Sequence, residues 1–259
     1  MKKLNIAQIA PLWYPVPPIK YGGIEKIVSY LTEGLIKKGH NVTLFASGNS
    51  RTKAKLISTR QRGLAQDGFS WDDGNWPLEH LSFSFEQANK GKFDIVHSHV
   101  GLKTMFFDVF SKAPVIQTFH NPLDSDPKNI PPSLEILEKR KNEMKAVFIS
   151  KSQMDLCPIK IKNSFVIYNG IDENVFKFSA KPKDYFLWAG RIEKNKGVEH
   201  AIMAARKAGI KLLMAGKIDP LKQDYFNKKV KPYLNQKIKF LGELPFSQLV
   251  KLYQGALGF

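Results

Sequence analysis

The chain has 259 residues, of which 43% are hydrophobic and 12% aromatic, and this composition excludes a wholly disordered protein. Lys and Arg outnumber Asp and Glu by 40 to 23, giving a formal net charge of +17, and lysines dominate the cations. The excess favours a polyanionic partner such as an anionic membrane, a nucleic acid or a phosphorylated ligand. A lysine-rich composition without any specific partner would look the same. Arginines are few and not clustered, so base-specific DNA recognition is disfavoured and no specific nucleic acid is predicted as a partner.

The cysteine count and the hydropathy pattern indicate the cellular compartment of the protein. Cys157 is the only cysteine, which excludes a disulfide framework and a cysteine metal cluster and suits a reducing compartment. No apolar run approaches the ~20 residues of a membrane span. Met1-Lys2-Lys3 resembles the start of a signal peptide, but Asn5 and Gln8 interrupt the apolar stretch that follows, where a strand is predicted instead. The sequence therefore predicts a cytoplasmic protein.

The first two thirds of the chain alternate short apolar runs with amphipathic helical patterns, which is typical of a parallel α/β sheet. Strands are predicted at 4–10, 41–46, 93–99, 115–119, 146–150 and 165–168, and helices at 24–38, 85–90 and 133–143. Residues 67–76, rich in Asp, Gly and Trp, are predicted to form an exposed loop. Gly22 and Gly23 stand at the entrance of the first helix, where they either let a ligand approach the backbone or simply make a turn. They do not belong to a G-x-G-x-x-G fingerprint, so NAD binding gains no support.

Three histidines lie at the ends of predicted strands. His97 and His99 end the strand at 93–99, and His120 directly follows 115–119. Ligands of open α/β sheets bind beyond these carboxyl ends, although a structural role is the alternative for each histidine. The His-x-His spacing would suit metal ligands, but no third or fourth ligand is evident. Asp124-Ser125-Asp126 matches a metal-nucleotide D-x-D pattern only by a short and common tripeptide, so no metal is predicted.

The last third of the chain repeats the alternation after a linker rich in Pro and Lys. Strands are predicted at 185–189, 211–215 and 237–241, with a further strand beginning at 255–259, and helices at 197–208, 221–234 and 246–254. We predict two α/β domains with parallel sheets, covering residues 1–172 and 173–259.

Two cations stand between the strand at 185–189 and the helix that follows it. Arg191 and Lys196 share one loop, which is predicted to be exposed, and the helix pattern begins at Gly197. The free N–H groups and the dipole of a helix N-terminus favour an anion, so this loop suits a phosphate or diphosphate. A basic surface loop with solvated charges is the alternative.

Several blocks of the sequence, in this order and spacing, resemble retaining GT-B-type glycosyltransferases of family four, also called group 1 glycosyl transferases. These blocks are Tyr21-Gly22-Gly23-Ile24-Glu25, Gly39-His40-Asn41-Val42-Thr43-Leu44-Phe45, His97-x-His99, Thr118-Phe119-His120, Asn169-Gly170-Ile171-Asp172, Gly190-Arg191-Ile192 with Lys196-Gly197, and Phe240-Leu241-Gly242. The resemblance covers nearly the whole chain. It implies two Rossmann-like domains that face a cleft, the first on the acceptor side and the second holding most of the nucleotide sugar.

The resemblance also implies roles for individual residues. Arg191 and Lys196 would bind the donor diphosphate and stabilise the leaving nucleotide, and Gly22 and Gly23 would approach the diphosphate or the acceptor from the first domain. His120 would be the catalytic residue, next to the sugar and the reacting carbon. The base pocket would be formed, largely through the backbone, by Gly216, Gly242, Glu243 and Leu244.

The remaining expectations concern metal, partners and completeness. His97 and His99 would mostly support the first sheet, and fixed cations would replace a metal, so no cofactor is expected beyond the nucleotide sugar as co-substrate. The family continues past Phe259 into an acidic block, so the second domain is expected to be incomplete and prone to self-association through its exposed sheet edge.

The function predicted is transfer of a sugar from a nucleotide-diphosphate sugar to a saccharide or lipid-linked acceptor, in envelope polysaccharide or lipopolysaccharide synthesis. Peripheral attachment to the inner face of the plasma membrane is expected. One alternative is an inactive truncated fragment or nucleotide-binding module that needs a companion chain. The other is a polyanion-binding protein whose net charge is its function.

Overall fold

The computed structural model describes residues 2–69, 74–123 and 130–259. These residues form two compact units, one made of residues up to 18 together with 22–171, the other of 19–21 together with 172–259. The predicted domain limits at 172 and 173, and the division into an acceptor side and a nucleotide-sugar side, stay predictions.

Parallel strands and helices alternate along both units. The strands are β1 (Asn5–Ile9), β2 (Asn41–Phe45), β3 (Lys55–Ile57), β4 (Ile95–Ser98), β5 (Val115–Phe119), β6 (Lys145–Phe148), β7 (Asn163–Val166), β8 (Phe186–Ala189), β9 (Leu212–Ala215) and β10 (Ile238–Phe240). The helices are α1 (Gly23–Lys37), α2 (Asn75–Lys90), α3 (Pro132–Arg140), α4 (Lys151–Leu156), α5 (Val198–Ala208), α6 (Gln223–Lys229) and α7 (Phe246–Gly255).

Within the described residues, the first unit contains a sheet of strand order β3-β2-β1-β4-β5-β6-β7. Every neighbouring pair in it is parallel, with Gln8 of β1 opposite His97 of β4. The chain turns from α1 into β2 at Gly39, whose positive φ of 91° favours glycine. The predicted α/β class with parallel sheets is confirmed in this unit.

The second unit has a parallel sheet of order β10-β9-β8 in the part of the chain that the structure describes. Residues beyond α7 reach the free edge of β8, where the backbone N–H of Leu187 donates to the Gly258 carbonyl at 3.0 Å. The apolar faces of the sheet and of α5 and α6 meet in one core that includes Ile202, Met214 and Phe226. This core fixes the loops that follow β8, β9 and β10.

Some predicted helix limits were wrong for identifiable reasons. α2 begins at Asn75 rather than near Phe85, because Pro77 occupies the first helical turn, where proline is tolerated. The predicted loop at 67–76 thus loses its last residues to this helix, and 70–73 lie outside the described residues. The helix predicted at 221–234 is interrupted, because Pro232 lies in a separate 3₁₀ turn at Lys231–Tyr233.

Candidate active site

A cluster of polar side chains lies at the carboxyl edge of the sheet in the first unit. Gln8 comes from β1, His97 from β4, and His99 and His120 directly follow β4 and β5. Gln8 and His99 are buried, with 0% and 3% of their surface exposed, whereas His120 is only partly buried. The parallel register brings these residues together although the sequence separates them widely.

Hydrogen bonds link three of these side chains in a row. His99 Nε2 lies 2.9 Å from Gln8 Oε1, and His99 Nδ1 lies 2.9 Å from His120 Nε2. The amide oxygen can only accept, so the Nε2–H of His99 donates to it and leaves Nδ1 as an acceptor for the Nε2–H of His120. His97 lies outside this row, since its Nε2 is 2.8 Å from the Thr118 hydroxyl.

Burial keeps the clustered imidazoles neutral. Loss of hydration lowers the pKa of His97 and of His120 to about 4, and it lowers the pKa of His99 well below its ordinary value. The neighbouring histidines add a smaller like-charge effect on His97 and His99. At neutral pH the cluster therefore offers hydrogen-bond donors and acceptors without net charge.

The entrance of α1 in the same unit combines a strained glycine with a buried acid. Gly22 has φ 145°, and a Cβ there would lie 2.6 Å from the Cβ of Pro18, whereas a Cβ at Gly23 meets nothing within 4 Å. Glu25, in the first helical turn, is 3% exposed. Burial raises its pKa to about 8, while hydrogen bonds from the backbone N–H groups of Glu25 and Tyr14 oppose that rise. The motif at 21–25 thus combines a backbone conformation that favours glycine with a buried carboxyl group.

In the second unit, the backbone that follows β9 packs against the backbone that follows β8 too closely for a side chain at Gly216. A Cβ added to Gly216 would lie 1.7 Å from the Gly190 carbonyl oxygen. The N–H of Gly190 donates to Ala215 at 3.1 Å, and the N–H of Gly216 donates to the carbonyl of Gly242 at 2.9 Å. Gly242 itself has a positive φ of 74°. Close approach of the Gly190 backbone therefore requires glycine at position 216. The sequence predicted Gly216 only as part of the lining of the base pocket.

The predicted anion loop places its two cations differently. Lys196 is exposed, at the end of a 3₁₀ turn that leads through Gly197 into α5. Arg191 is partly buried rather than exposed, with 23% of its side chain accessible, and forms an ion pair with Glu193. Its guanidinium also lies 5.8 Å from the centroid of the Tyr21 ring, a residue of the same unit. The carboxylate of Glu243 accepts a hydrogen bond from the backbone N–H of Tyr21 at 3.2 Å.

The structure thus describes two groups of the predicted site residues, one in each unit. Gly22, Gly23 and His120 lie in the first, whereas the second holds Arg191, Lys196, Gly216, Gly242, Glu243 and Leu244. Asp124-Ser125-Asp126 lies outside the described residues. Among the residues described, no three His, Cys, Asp or Glu side chains are grouped in a way that could hold a metal ion. No described helix is both long and apolar enough to cross a membrane.

Sequence reasoning missed the partners of these residues. The sequence indicated Gln8 only as an interruption of an apolar stretch and Glu25 only as the last residue of the block at 21–25, and it assigned no role to Glu193. A polar residue in the middle of a buried strand, such as Gln8, was a usable signal, because buried polar side chains require hydrogen-bond partners. Glu193 carried no such signal, since a charged residue in a loop is usually solvated.

Comparisons with known proteins give the family. The model of Glycosyltransferase Family 4 matches residues 21–175, and that of Glycosyl transferases group 1 matches residues 171–259. An uncharacterized glycosyltransferase of Methanocaldococcus jannaschii is 26% identical over an alignment that covers 96% of this chain and 73% of the relative.

Two solved structures show the same fold. A glycosyltransferase involved in avilamycin A biosynthesis matches with a TM-score of 0.71 at 21% identity, covering 98% of this chain and 67% of its own. The catalytic domain of starch synthase IV from Arabidopsis thaliana, bound to ADP and acarbose, matches with a TM-score of 0.61 at 15% identity, covering 98% and 77%. The chain therefore belongs to Glycosyltransferase Family 4, and it is a glycosyltransferase with a GT-B-type α/β fold.

Proposed function

We propose that the chain transfers a sugar from a nucleoside-diphosphate sugar, and that the loop of residues 190–197 binds the donor diphosphate. The observation that carries this proposal is the position of Lys196, which is exposed two residues before the start of α5. The first N–H groups of a helix have no partner within the helix, so an anion at this end gains their hydrogen bonds and the helix dipole. The ADP bound to the starch synthase IV domain, a protein of the same fold, agrees with such a ligand.

Charge at this loop also accounts for the chemistry of transfer. Cleavage of the bond between sugar and diphosphate leaves negative charge on the departing nucleotide, and preorganised cations and amides stabilise it without reorganisation. Arg191 supplies a second cation, because its five N–H donors allow it to bind a phosphate while it still faces Glu193. In this proposal no metal ion is required.

We assign roles to the remaining site residues from their positions in the two units. The backbone at Gly216 and from Gly242 to Leu244 would form the base pocket, since only glycine fits at position 216, directly after β9. In the first unit, Gly23 leaves open space at the entrance of α1 for the approach of a substrate. His120 would contact the sugar next to the reacting carbon.

The test is release of nucleoside diphosphate from a panel of UDP-, ADP-, GDP- and dTDP-sugars, with and without saccharide and lipid-linked acceptors. We expect release from one donor class, stimulated by an acceptor. Loss of release in Lys196→Ala but not in Lys194→Ala would support the loop, because Lys194 is an exposed lysine of the same turn. Diphosphate binding without release from any donor would favour a nucleotide-binding module that needs a companion chain.

A second proposal concerns an anionic membrane surface as partner. In the described part of the first unit, exposed lysines precede or open every strand of the parallel sheet, so they share its amino edge: Lys2, Lys3, Lys37, Lys38, Lys53, Lys55, Lys90, Lys92, Lys112, Lys145, Lys160 and Lys162. Near this edge Val109 and Phe110 are 55% and 72% exposed, two apolar side chains that a bilayer would accept. Each lysine near an anionic surface contributes on the order of 1 kcal/mol before screening.

Such attachment would bring the enzyme to a lipid-linked or envelope saccharide acceptor. Vesicle sedimentation at low salt tests it, with Lys160→Glu/Lys162→Glu as the variant. Lys103→Glu/Lys151→Glu is the control, because it makes the same change in charge at exposed lysines that follow strands. Equal sedimentation with neutral and anionic vesicles would contradict the proposal, and salt-dependent DNA binding in its place would favour a polyanion-binding protein.

A further inference from the structure

We propose that Gln8 and His99 are positioning residues, which hold the His120 ring so that its Nδ1 accepts a hydrogen bond from a substrate hydroxyl. The proposal rests on the proposed role of His120 and deepens it. It assigns a task to two buried residues that touch no substrate themselves.

The row of hydrogen bonds begins at a fully buried side chain. Gln8 lies within β1 and has no exposed surface. Its Oε1 accepts from His99 Nε2 at 2.9 Å, a contact between residues 91 positions apart. Because an amide oxygen never donates, this contact fixes the proton of neutral His99 on Nε2 and leaves a lone pair on Nδ1.

The protonation of His99 in turn determines which nitrogen of His120 carries a proton. His99 Nδ1 lies 2.9 Å from His120 Nε2, and two lone pairs cannot face each other at this distance, so His120 carries its proton on Nε2. Nδ1 of His120 is then the acceptor. Among the described residues, none forms a hydrogen bond with that nitrogen, and His120 is only partly buried.

Packing limits the other arrangements of the rings. His99 is 3% exposed and its ring lies between those of His97 and His120, with centroids at 4.3 Å and 5.2 Å. The lowered pKa values of all three rings agree with neutral imidazoles at pH 7. A carboxylate at position 8 would favour a protonated His99, whose Nδ1–H would donate to His120 Nε2. The proton of His120 would then lie on Nδ1, so this nitrogen would be a donor instead of an acceptor.

The direct test is NMR of the wild-type chain with ¹⁵N-labelled histidine, in which long-range correlations report which ring nitrogen carries the proton. The signals of His120 and His99 are assigned from His120→Asn and His99→Asn. We expect both rings to be protonated on Nε2 at pH 7. A proton on Nδ1 of His120 would overturn the proposal, whatever the enzymatic activity.

Kinetics supply the second test. His99→Phe keeps an aromatic ring but removes the acceptor, and we expect kcat to fall by about 10²-fold, as for a misplaced catalytic group, while KM for the donor changes little. His99→Asn restores an acceptor oxygen near the position of Nδ1 and should recover part of kcat. Thr118→Val is the matched control, since it removes the 2.8 Å contact to His97 on the same strands and leaves the row intact.

Gln8→Glu gives a readout that a purely structural role would not move. The added charge raises the pKa values of the His99 and His120 rings, so the acid limb of the kcat profile should shift to higher pH. An unshifted profile, or equal losses of kcat in His99→Phe and Thr118→Val, would contradict a positioning role. If His120→Ala is fully active, the proposed role of His120 fails, and the NMR result still decides the arrangement of the rings.

Discussion

Gly216→Ala tests how closely the second unit packs its backbone at the predicted donor site. The added Cβ would lie 1.7 Å from the Gly190 carbonyl oxygen. A carbon and a carbonyl oxygen approach to about 3.3 Å at closest, so the two chains must separate by roughly 1.6 Å. The obstacle is backbone rather than a flexible side chain, so rotamer changes cannot relieve it.

The cost follows from the structure around this contact. Separating the ends of β8 and β9 strains the bonds from Gly190 to Ala215 and from Gly216 to Gly242, at 3.1 Å and 2.9 Å. Overpacking of this kind typically destabilises a protein by about 1–3 kcal/mol. For a chain of this size that corresponds to a fall in Tm of about 2–12 °C. Arg191 follows Gly190 directly, so diphosphate affinity should fall as well.

The assay is thermal unfolding, followed by calorimetry with UDP, ADP and GDP. Gly34→Ala is a control that should change the stability in the opposite direction, because Gly34 lies within α1 and a Cβ there meets nothing within 4 Å. That control should stabilise the protein by about 0.5–1 kcal/mol. A Gly216→Ala chain with unchanged Tm and unchanged nucleotide affinity would refute the argument from backbone approach.

Three further predictions concern charge. Glu193→Gln should raise diphosphate affinity by about 1.4–5-fold, because removing the ion pair with Arg191 leaves that cation to the ligand; calorimetry that shows weaker binding would contradict this. Glu25 has its pKa raised to about 8 from 4.5 by burial, so the folded state binds more protons than the unfolded state between these values and its stability falls as pH rises through them. The Tm of Glu25→Gln minus the Tm of the wild type should therefore be larger at pH 8 than at pH 5. A difference in Tm that does not vary with pH would contradict the raised pKa of the buried carboxyl group. Transfer activity should survive EDTA, and a loss that manganese restores would favour a metal-dependent mechanism.

Local sequence patterns were sufficient for most elements of the fold. Apolar runs such as 115–119 and the apolar stripe of α1 depend on neighbours only two to four positions away, so their periodicity can be read directly. The parallel arrangement followed from the alternation of strands and helices. Helix limits were harder, as at Asn75, because proline in a first turn looks like proline in a loop.

The candidate site depended on contacts that local patterns do not encode. The bond between Gln8 and His99 exists only because β1 and β4 are neighbours in a fixed register. The approach of Gly216 to Gly190 likewise needs the pairing of β8 with β9. Arg191 was expected on the basis of its charge to be exposed, but its partner Glu193 keeps it partly buried.

The most direct test of the proposed donor site is calorimetric binding of UDP, ADP and GDP to the wild type, Lys196→Ala and Lys194→Ala. Both lysines are exposed on one 3₁₀ turn, so the two variants lose the same charge within three residues. We predict that one nucleotide binds the wild type and that Lys196→Ala lowers its affinity by about 10-fold or more, as expected for a charge-assisted hydrogen bond of 1.5–3 kcal/mol, whereas Lys194→Ala has little effect. Equal affinities in all three chains, or equal losses in both variants, would contradict a diphosphate site at the start of α5.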